Sequence, residues 1–202
     1  MLRRTDGRIR ISFTAGLLWG WFALINGMEL TGIILLAAIL HEMGHLLVLR
    51  LAGAKIWGLD IGVSGAIMDA DTSRLTYGEE LAAVLAGPMM NILAAVVCGI
   101  WGGSSLFIGA NVVLCVFNLM SVRPLDGGWA LYLLAVWIWD IERGERLAGT
   151  VGGITAMALA LVLSAVMYRS RGSLWLLPPA VWMMTVSVRE FWKNDEKFLV
   201  FL

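Results

Sequence analysis

Charge is what this sequence has least of for its length. Only 15% of its 202 residues are Asp, Glu, Lys or Arg, where a soluble domain carries about 25%. With 59% hydrophobic residues and a mean hydropathy of +0.82, the composition excludes an ordinary water-soluble domain and places the chain among polytopic membrane proteins. The formal net charge is +0, and no run of like charge breaks the sequence, which excludes the electrostatic footprint of a nucleic-acid binder. Cysteine is nearly absent. Cys98 and Cys115 each sit in an apolar run, where a thiol serves as a small hydrophobe, so a disulfide framework is not expected. A small-x-small cleavage site is missing after the basic stretch Met1 to Arg10. The bulky Trp19, Trp21 and Phe22 that follow predict a retained first span rather than a removed signal peptide. No internal repeat or low-complexity segment is visible.

Crossing about 30 Å of hydrocarbon takes roughly 20 helical residues. That length predicts an all-α polytopic membrane protein with about six transmembrane helices and a short membrane-associated β-hairpin after the second. The first two spans are Ile11 to Gly27 and Leu30 to Ala52, joined by a very short turn. The stretch Ala54 to Thr76 is more polar, and Gly58, Gly62 and Gly65 interrupt an alternation of Ile56, Leu59, Ile61, Val63 and Ile67. It reads as a hairpin or re-entrant sheet, with a plain glycine-rich loop as the alternative. A third span starts near Glu79 or Glu80 and reaches Trp101. It carries Gly87-Pro88-Met89-Met90-Asn91, which is either a packing kink or a set of polar groups with a chemical role.

The fourth segment, Leu106 to Val122, runs into Arg123-Pro124-Leu125-Asp126-Gly127-Gly128 and resumes as Trp129 to Trp139. Broken helices at membrane depth are tolerated where they line a cavity, and this break presents Asp126; a membrane-edge loop is the plainer alternative. Asp140 to Arg146 reads as a solvated connector, followed by spans at Leu147 to Met167 and Leu174 to Val188. The tail, Arg189 to Leu202, reads as an interfacial helix. Placing both termini in the cytoplasm puts nearly every lysine and arginine there, with Arg169 and Arg171 outside, as the positive-inside rule requires. The whole chain, 1-202, then forms one integral-membrane domain.

Histidine is as scarce as cysteine: the chain has two, and both lie in His41-Glu42-Met43-Gly44-His45. A buried ionisable group costs several kcal/mol in a membrane span unless it is paired or at work. Residues four apart share a helix face, so His41 and His45 can both offer a ring nitrogen to one metal ion. Glu42 falls beside that face, within reach of a water at the metal. Catalytic zinc takes three protein ligands and keeps one open position. With no third histidine, the remaining ligand must be a carboxylate or thiolate: Asp126, Asp140, Glu29, Cys98 or Cys115. Asp126 is the best candidate, since the helix break can aim it inward at a matching depth. The expected chemistry is hydrolysis of a peptide bond by metal-activated water, with Glu42 as proton carrier. Asn118 is a candidate hydrogen-bond donor to substrate.

Together, His41-Glu42-Met43-Gly44-His45, Ala86-Gly87-Pro88-Met89-Met90-Asn91 and Asn118 to Gly128 resemble the site-2 protease family of intramembrane zinc metalloproteases. The likeness is to the compact bacterial branch that includes the sporulation protease cleaving a membrane-tethered sigma-factor precursor. The resemblance covers roughly Ile11 to Val200. It implies a six-span core, Zn2+ held by His41, His45 and Asp126, and Glu42 as catalytic base. It also implies cleavage in or beside a substrate's transmembrane helix, and a hairpin over Ile56 to Ile67 that adds a strand to unwound substrate. Asn118, Asn91, Pro124 and Gly65 form the expected set of substrate-binding or site-supporting residues. The chain departs from the family pattern at Ser121, often a proline there, and at Trp129, often basic there; neither is a proposed ligand. No PDZ or nucleotide-sensing domain is expected, so regulation would come from other membrane proteins in trans. A metal or proton transporter using the His/Asp cluster is the competing function. A catalytically silent relative is a third reading, and its mark, a lost motif residue, is not seen.

Overall fold

The computed structural model describes residues 8–62, 65–169, 181 and 183–189. The chain divides into two compact units, Met1–Phe117 and Asn118–Leu202.

The first unit opens with strand β1 (Arg8–Ile11) and continues through helices α1 (Phe13–Asn26) and α2 (Met28–Leu51). Ser12 caps α1 by accepting the Ala15 N–H at 3.1 Å. A single residue, Gly27 at φ +86°, separates α1 from α2; this left-handed backbone favours glycine. After α2 come β2 (Lys55–Gly62) and β3 (Gly65–Asp71), which pair antiparallel, with a register shift between Ile56 and Gly58. The Ala54–Thr76 stretch is therefore a hairpin and not a plain loop. It is part of a larger sheet than the sequence suggests, because β1 lies parallel to β2, with Arg8 opposite Gly58 and Ile11 opposite Ile61. The alternation Arg8-Ile9-Arg10-Ile11 makes a strand, and the first helix starts at Phe13, two residues later than expected.

Helix α3 (Tyr77–Ile100) begins at a capping box. The Thr76 hydroxyl accepts the Glu79 N–H while the Glu79 carboxylate accepts the Thr76 N–H. Helix α4 (Ser105–Asn118) is the last element of this region. The tightest helix contact in the unit joins α2 and α3. A Cβ on Gly44 would strike the Ala86 carbonyl and lie 3.0 Å from Met90 Cβ, so only glycine lets the backbones approach this closely. Close approach through small residues is how helices pack in lipid, where apolar side chains gain little by leaving hydrocarbon for one another.

The second unit holds a turn over 119–125, α5 (Asp126–Ile138) and α6 (Ile141–Arg169). Here the boundaries differ from expectation. Helix α4 stops at Asn118 rather than near Val122, and α5 starts at Asp126 rather than Trp129. The chain folds back through Val122 N–H to Met120 O at 2.7 Å and Leu125 N–H to Val122 O at 2.8 Å. Gly127 and Gly128 are helical and buried, and their missing side chains make room for that returning backbone. A Cβ on Gly127 would strike the Leu119 carbonyl, and one on Gly128 would come within 2.5 Å of Arg123 N. The charged stretch 140–146 is the N-terminal end of α6 and not a solvated connector. Asp140 caps that end by accepting the Arg143 N–H at 2.8 Å.

Among the described residues, three helices are long and apolar enough to cross a membrane: α2, α3 and α6. In the most apolar windows of α2 and α6 only 22% of residues are buried, so their apolar surface faces outward, as in an integral membrane protein. Helices α1, α4 and α5 are apolar but have 14, 14 and 13 residues, about 20 Å of helix at 1.5 Å per residue. Of the expected spans, α2, α3 and α6 therefore reach full membrane length, α1 is shorter, and the single expected fourth segment is divided between α4 and α5. The sixth expected span, 174–188, is described only at 181 and 183–188, which are helical; Ser187 there donates to the Gly153 carbonyl at 3.0 Å. The interfacial tail beyond 189 lies outside the described residues.

Arg123 ties the turn to α6 through Glu145 at 3.1 Å, with side chains only 9% and 20% exposed. The Arg146–Glu142 pair at 2.7 Å is 62% and 57% exposed. A largely buried pair is costlier to break than an exposed one, which contributes little. Glu145→Gln should therefore destabilise the protein by more than Glu142→Gln, whose effect should stay under about 1 kcal/mol, compared by thermal unfolding in detergent micelles.

Candidate metal centre

His41 and His45 lie on one face of α2, one helical turn apart, as their spacing requires. Their ring centroids are 4.7 Å apart with planes at 80°, and their Nε2 atoms are 3.1 Å apart. His41 is 5% exposed. Glu42 is half-buried on the same helix.

Each imidazole is oriented through its other nitrogen. His41 Nδ1 meets Asn91 Oδ1 at 2.7 Å, and His45 Nδ1 meets the Ala83 backbone carbonyl at 2.8 Å. Both acceptors come from α3. A carbonyl oxygen only accepts, so His45 carries its proton on Nδ1. The Asn91 amide is oriented the same way: its Nδ2 donates to the Ala37 carbonyl at 3.0 Å and to Asn111 Oδ1 at 2.8 Å. Its Oδ1 therefore faces His41, which must also be protonated on Nδ1. Both Nε2 atoms then present lone pairs to each other. With both rings neutral, neither can donate a hydrogen bond across 3.1 Å, but one cation can accept from both. Two nitrogens at 2.0–2.1 Å from a tetrahedral zinc ion would be about 3.3 Å apart, so the observed spacing fits the metal.

Glycine keeps this space open. A Cβ on Gly87 would strike His45 Nε2 and come within 2.8 Å of His41 Cε1. Pro88 follows it inside α3 and has no N–H to offer the Val84 carbonyl one turn back. The segment Gly87 to Asn91 is therefore more than a packing kink: it makes room for the imidazoles and fixes one of their protons.

The other expected residues lie on other elements. Gly65 opens β3 opposite Gly62 at the hairpin end. Asn118 ends α4. Pro124 is exposed in the turn, after a cis Arg123–Pro124 bond. Asp126 is half-buried in the first turn of α5, in the second unit. Among the rejected ligand candidates, Asp140 is a helix cap and Glu29 lies in the first turn of α2. Asn111, fully buried and bonded to Asn91, was not singled out from the sequence. The available signal was a lone amide within the apolar run from Leu106.

Over 149 residues, 65% of its length, the chain is 27% identical to a protein from Synechocystis sp. that carries a provisional description as a zinc metalloprotease. It spans only 38% of that relative. Its structure superposes on the site-2 protease from Methanocaldococcus jannaschii with a TM-score of 0.64, covering 90% of this chain and 89% of that one at 22% identity. The chain has the site-2 protease fold. No protein-family profile matches it. The resemblance read from the motifs thus extends to the fold of nearly the whole chain.

Outer partners of metal-bound histidines typically contribute 10- to 100-fold to affinity. Asn91→Leu should weaken zinc binding by about that factor. Gly87→Ala should weaken it at least as much, because its methyl group enters the space of both rings, while Gly109→Ala, with nothing within 4 Å, should leave it unchanged. Chelator competition on the three purified variants measures this.

Proposed function

We propose that this chain is an intramembrane zinc metalloprotease that cleaves a peptide bond in or near a transmembrane segment of a membrane-tethered protein. The observation that carries the reading is the pair of Nε2 lone pairs 3.1 Å apart within a helix long and apolar enough to span a bilayer. The site-2 protease fold and the zinc-metalloprotease description of a relative support the same reading.

In this proposal His41, His45 and Asp126 hold the metal, two imidazoles and one carboxylate, a donor set of the kind catalytic zinc uses. A zinc ion held there would supply Lewis acidity for the scissile carbonyl and for a water. The Glu42 carboxylate takes that water's proton as the water attacks, then delivers it to the leaving amine nitrogen. Asn91 and the Ala83 carbonyl hold the two rings still while this happens. Asn118 and the turn at Pro124 would contact substrate backbone, and the hairpin with Gly65 at its end would offer strand pairing to an unwound substrate segment. Such pairing matters because a helical peptide bond is shielded and must be opened before water reaches it.

The proposed setting is the bacterial cytoplasmic membrane, with both termini and the site toward the cytoplasm. Sigma-factor precursors and anti-sigma proteins are the substrate classes to test, and other membrane proteins would regulate the enzyme in trans. A metal or proton transporter is disfavoured, since translocation has no use for a carboxylate between the two histidines and the fold is that of a protease.

Purified protein should hold about one zinc per chain. Glu42→Gln should keep that zinc while cleavage of a co-reconstituted tethered substrate falls by about 10²-fold or more. His41→Ala and Asp126→Ala should lose zinc and cleavage together. Undiminished cleavage by Glu42→Gln would remove Glu42 from its role.

A further inference from the structure

The His41 proton has two places to go, and the alternative has its own stabilisation. If Asn91 turned its amide over, Nδ2 would donate to a bare His41 Nδ1 and the ring proton would move to Nε2. There it would form a hydrogen bond to His45 Nε2 across the same 3.1 Å. That arrangement satisfies both histidines and closes the pair to metal. Something must therefore hold Asn91 in the orientation observed.

We propose that Asn111 is a positioning residue for the metal centre: through the Asn91 amide it keeps the His41 proton on Nδ1 and leaves Nε2 available to zinc. Asn111 lies on α4 and touches neither histidine in any described hydrogen bond. It donates from Nδ2 to the Phe107 carbonyl, one turn back on its own helix, at 2.9 Å. That bond fixes its own amide, so Oδ1 faces Asn91 and accepts from Nδ2 at 2.8 Å. A turned-over Asn91 would set its oxygen against two other oxygens, Asn111 Oδ1 and the Ala37 carbonyl, in a place closed to water, since both asparagines are 0% exposed. Without Asn111 only the Ala37 carbonyl opposes the turn. The chain from Phe107 O through Asn111 and Asn91 to His41 has one consistent direction of donation, and it ends on the nitrogen opposite the metal-binding one. His45 Nδ1 is held instead by the Ala83 carbonyl.

The inference rests on reading His41 and His45 as a metal pair, not on proteolysis, and its test uses neither substrate nor cleavage. The chain has two histidines, so 15N-histidine labelling of the metal-free protein in micelles resolves protonated from bare ring nitrogens with little overlap. Wild type should show both rings protonated on Nδ1. Asn111→Leu should shift His41 toward Nε2–H while His45 stays unchanged, and should weaken zinc binding about 10-fold in chelator competition. Asn111→Asp, whose neutral buried carboxyl can donate to the Phe107 carbonyl and accept from Asn91, should restore both readouts. Three results would overturn the proposal: a wild-type His41 protonated on Nε2; an Asn111→Leu protein with unchanged tautomer and zinc affinity within twofold; or equal changes at His41 and His45, which a general loosening of the fold would give. The first needs no variant and decides the matter even if Asn111→Leu does not fold. A protein that passes this test and cleaves nothing would fail only the protease reading.

Discussion

An imidazole binds metal through Nε2 only while its proton is on Nδ1, and two such rings side by side make that arrangement unfavourable until a cation arrives. Everything around His41 and His45 bears on this conflict. Both Nδ1 protons are pinned by acceptors on α3, so the rings are prepared as ligands within the protein's own hydrogen bonding. Inside an apolar helix pair each such bond is stronger than it would be in water, and a mispaired amide is correspondingly more costly. The buried asparagines are tolerated because every described polar atom in their chain of bonds has a partner of the right kind.

The same conflict explains why α2 and α3 come so close. The acceptors for both rings sit on α3, so the helices must approach to hydrogen-bonding distance over a full turn. In lipid there is little hydrophobic gain to press them together. Gly44 removes the steric barrier on one side and Gly87 on the other, and the polar contacts then reinforce the approach they depend on. Packing and ligand orientation are here one interaction seen from two sides. Alanine at Gly87 would be felt first at the imidazoles, and alanine at Gly44 first in the approach of the helices.

How much of this is legible in the sequence depends on how local the signal is. His41, Glu42 and His45 are readable because a helix fixes the geometry of residues one to four positions apart. The hairpin is readable from period-two alternation and its glycines. Asn91 stands out as a polar residue after Gly87-Pro88, but its partner lies 50 positions away, and no pattern within α3 distinguishes a histidine contact from a packing kink. Asn111 is harder still, since a single amide in an apolar run has many uses and only tertiary structure shows which one it serves. The strand at Arg8–Ile11 was hidden by the apolar helix that follows it directly. The early end of α4 and the early start of α5 follow from backbone contacts at Gly127 and Gly128 that composition does not encode. Charged residues at 140–146 read as solvent-facing, which they largely are, but a helix end satisfies that as well as a loop does.

Charge accounting gives a further reason for the proposed donor set. Zinc carries two positive charges, and both histidines, protonated on Nδ1 alone, are neutral. A site inside hydrocarbon that held the ion with imidazoles only would leave both charges uncompensated, at a large desolvation penalty. In the proposed donor set Asp126 would remove one and Glu42 the other, so the assembled site would be neutral overall. A proton passed to Glu42 would leave a compensating negative charge on the oxygen it came from, and the sum would stay unchanged through the transfer. A third histidine in place of Asp126 would break that balance, which gives a physical reason why a chain with two histidines would recruit a carboxylate from a distant helix start.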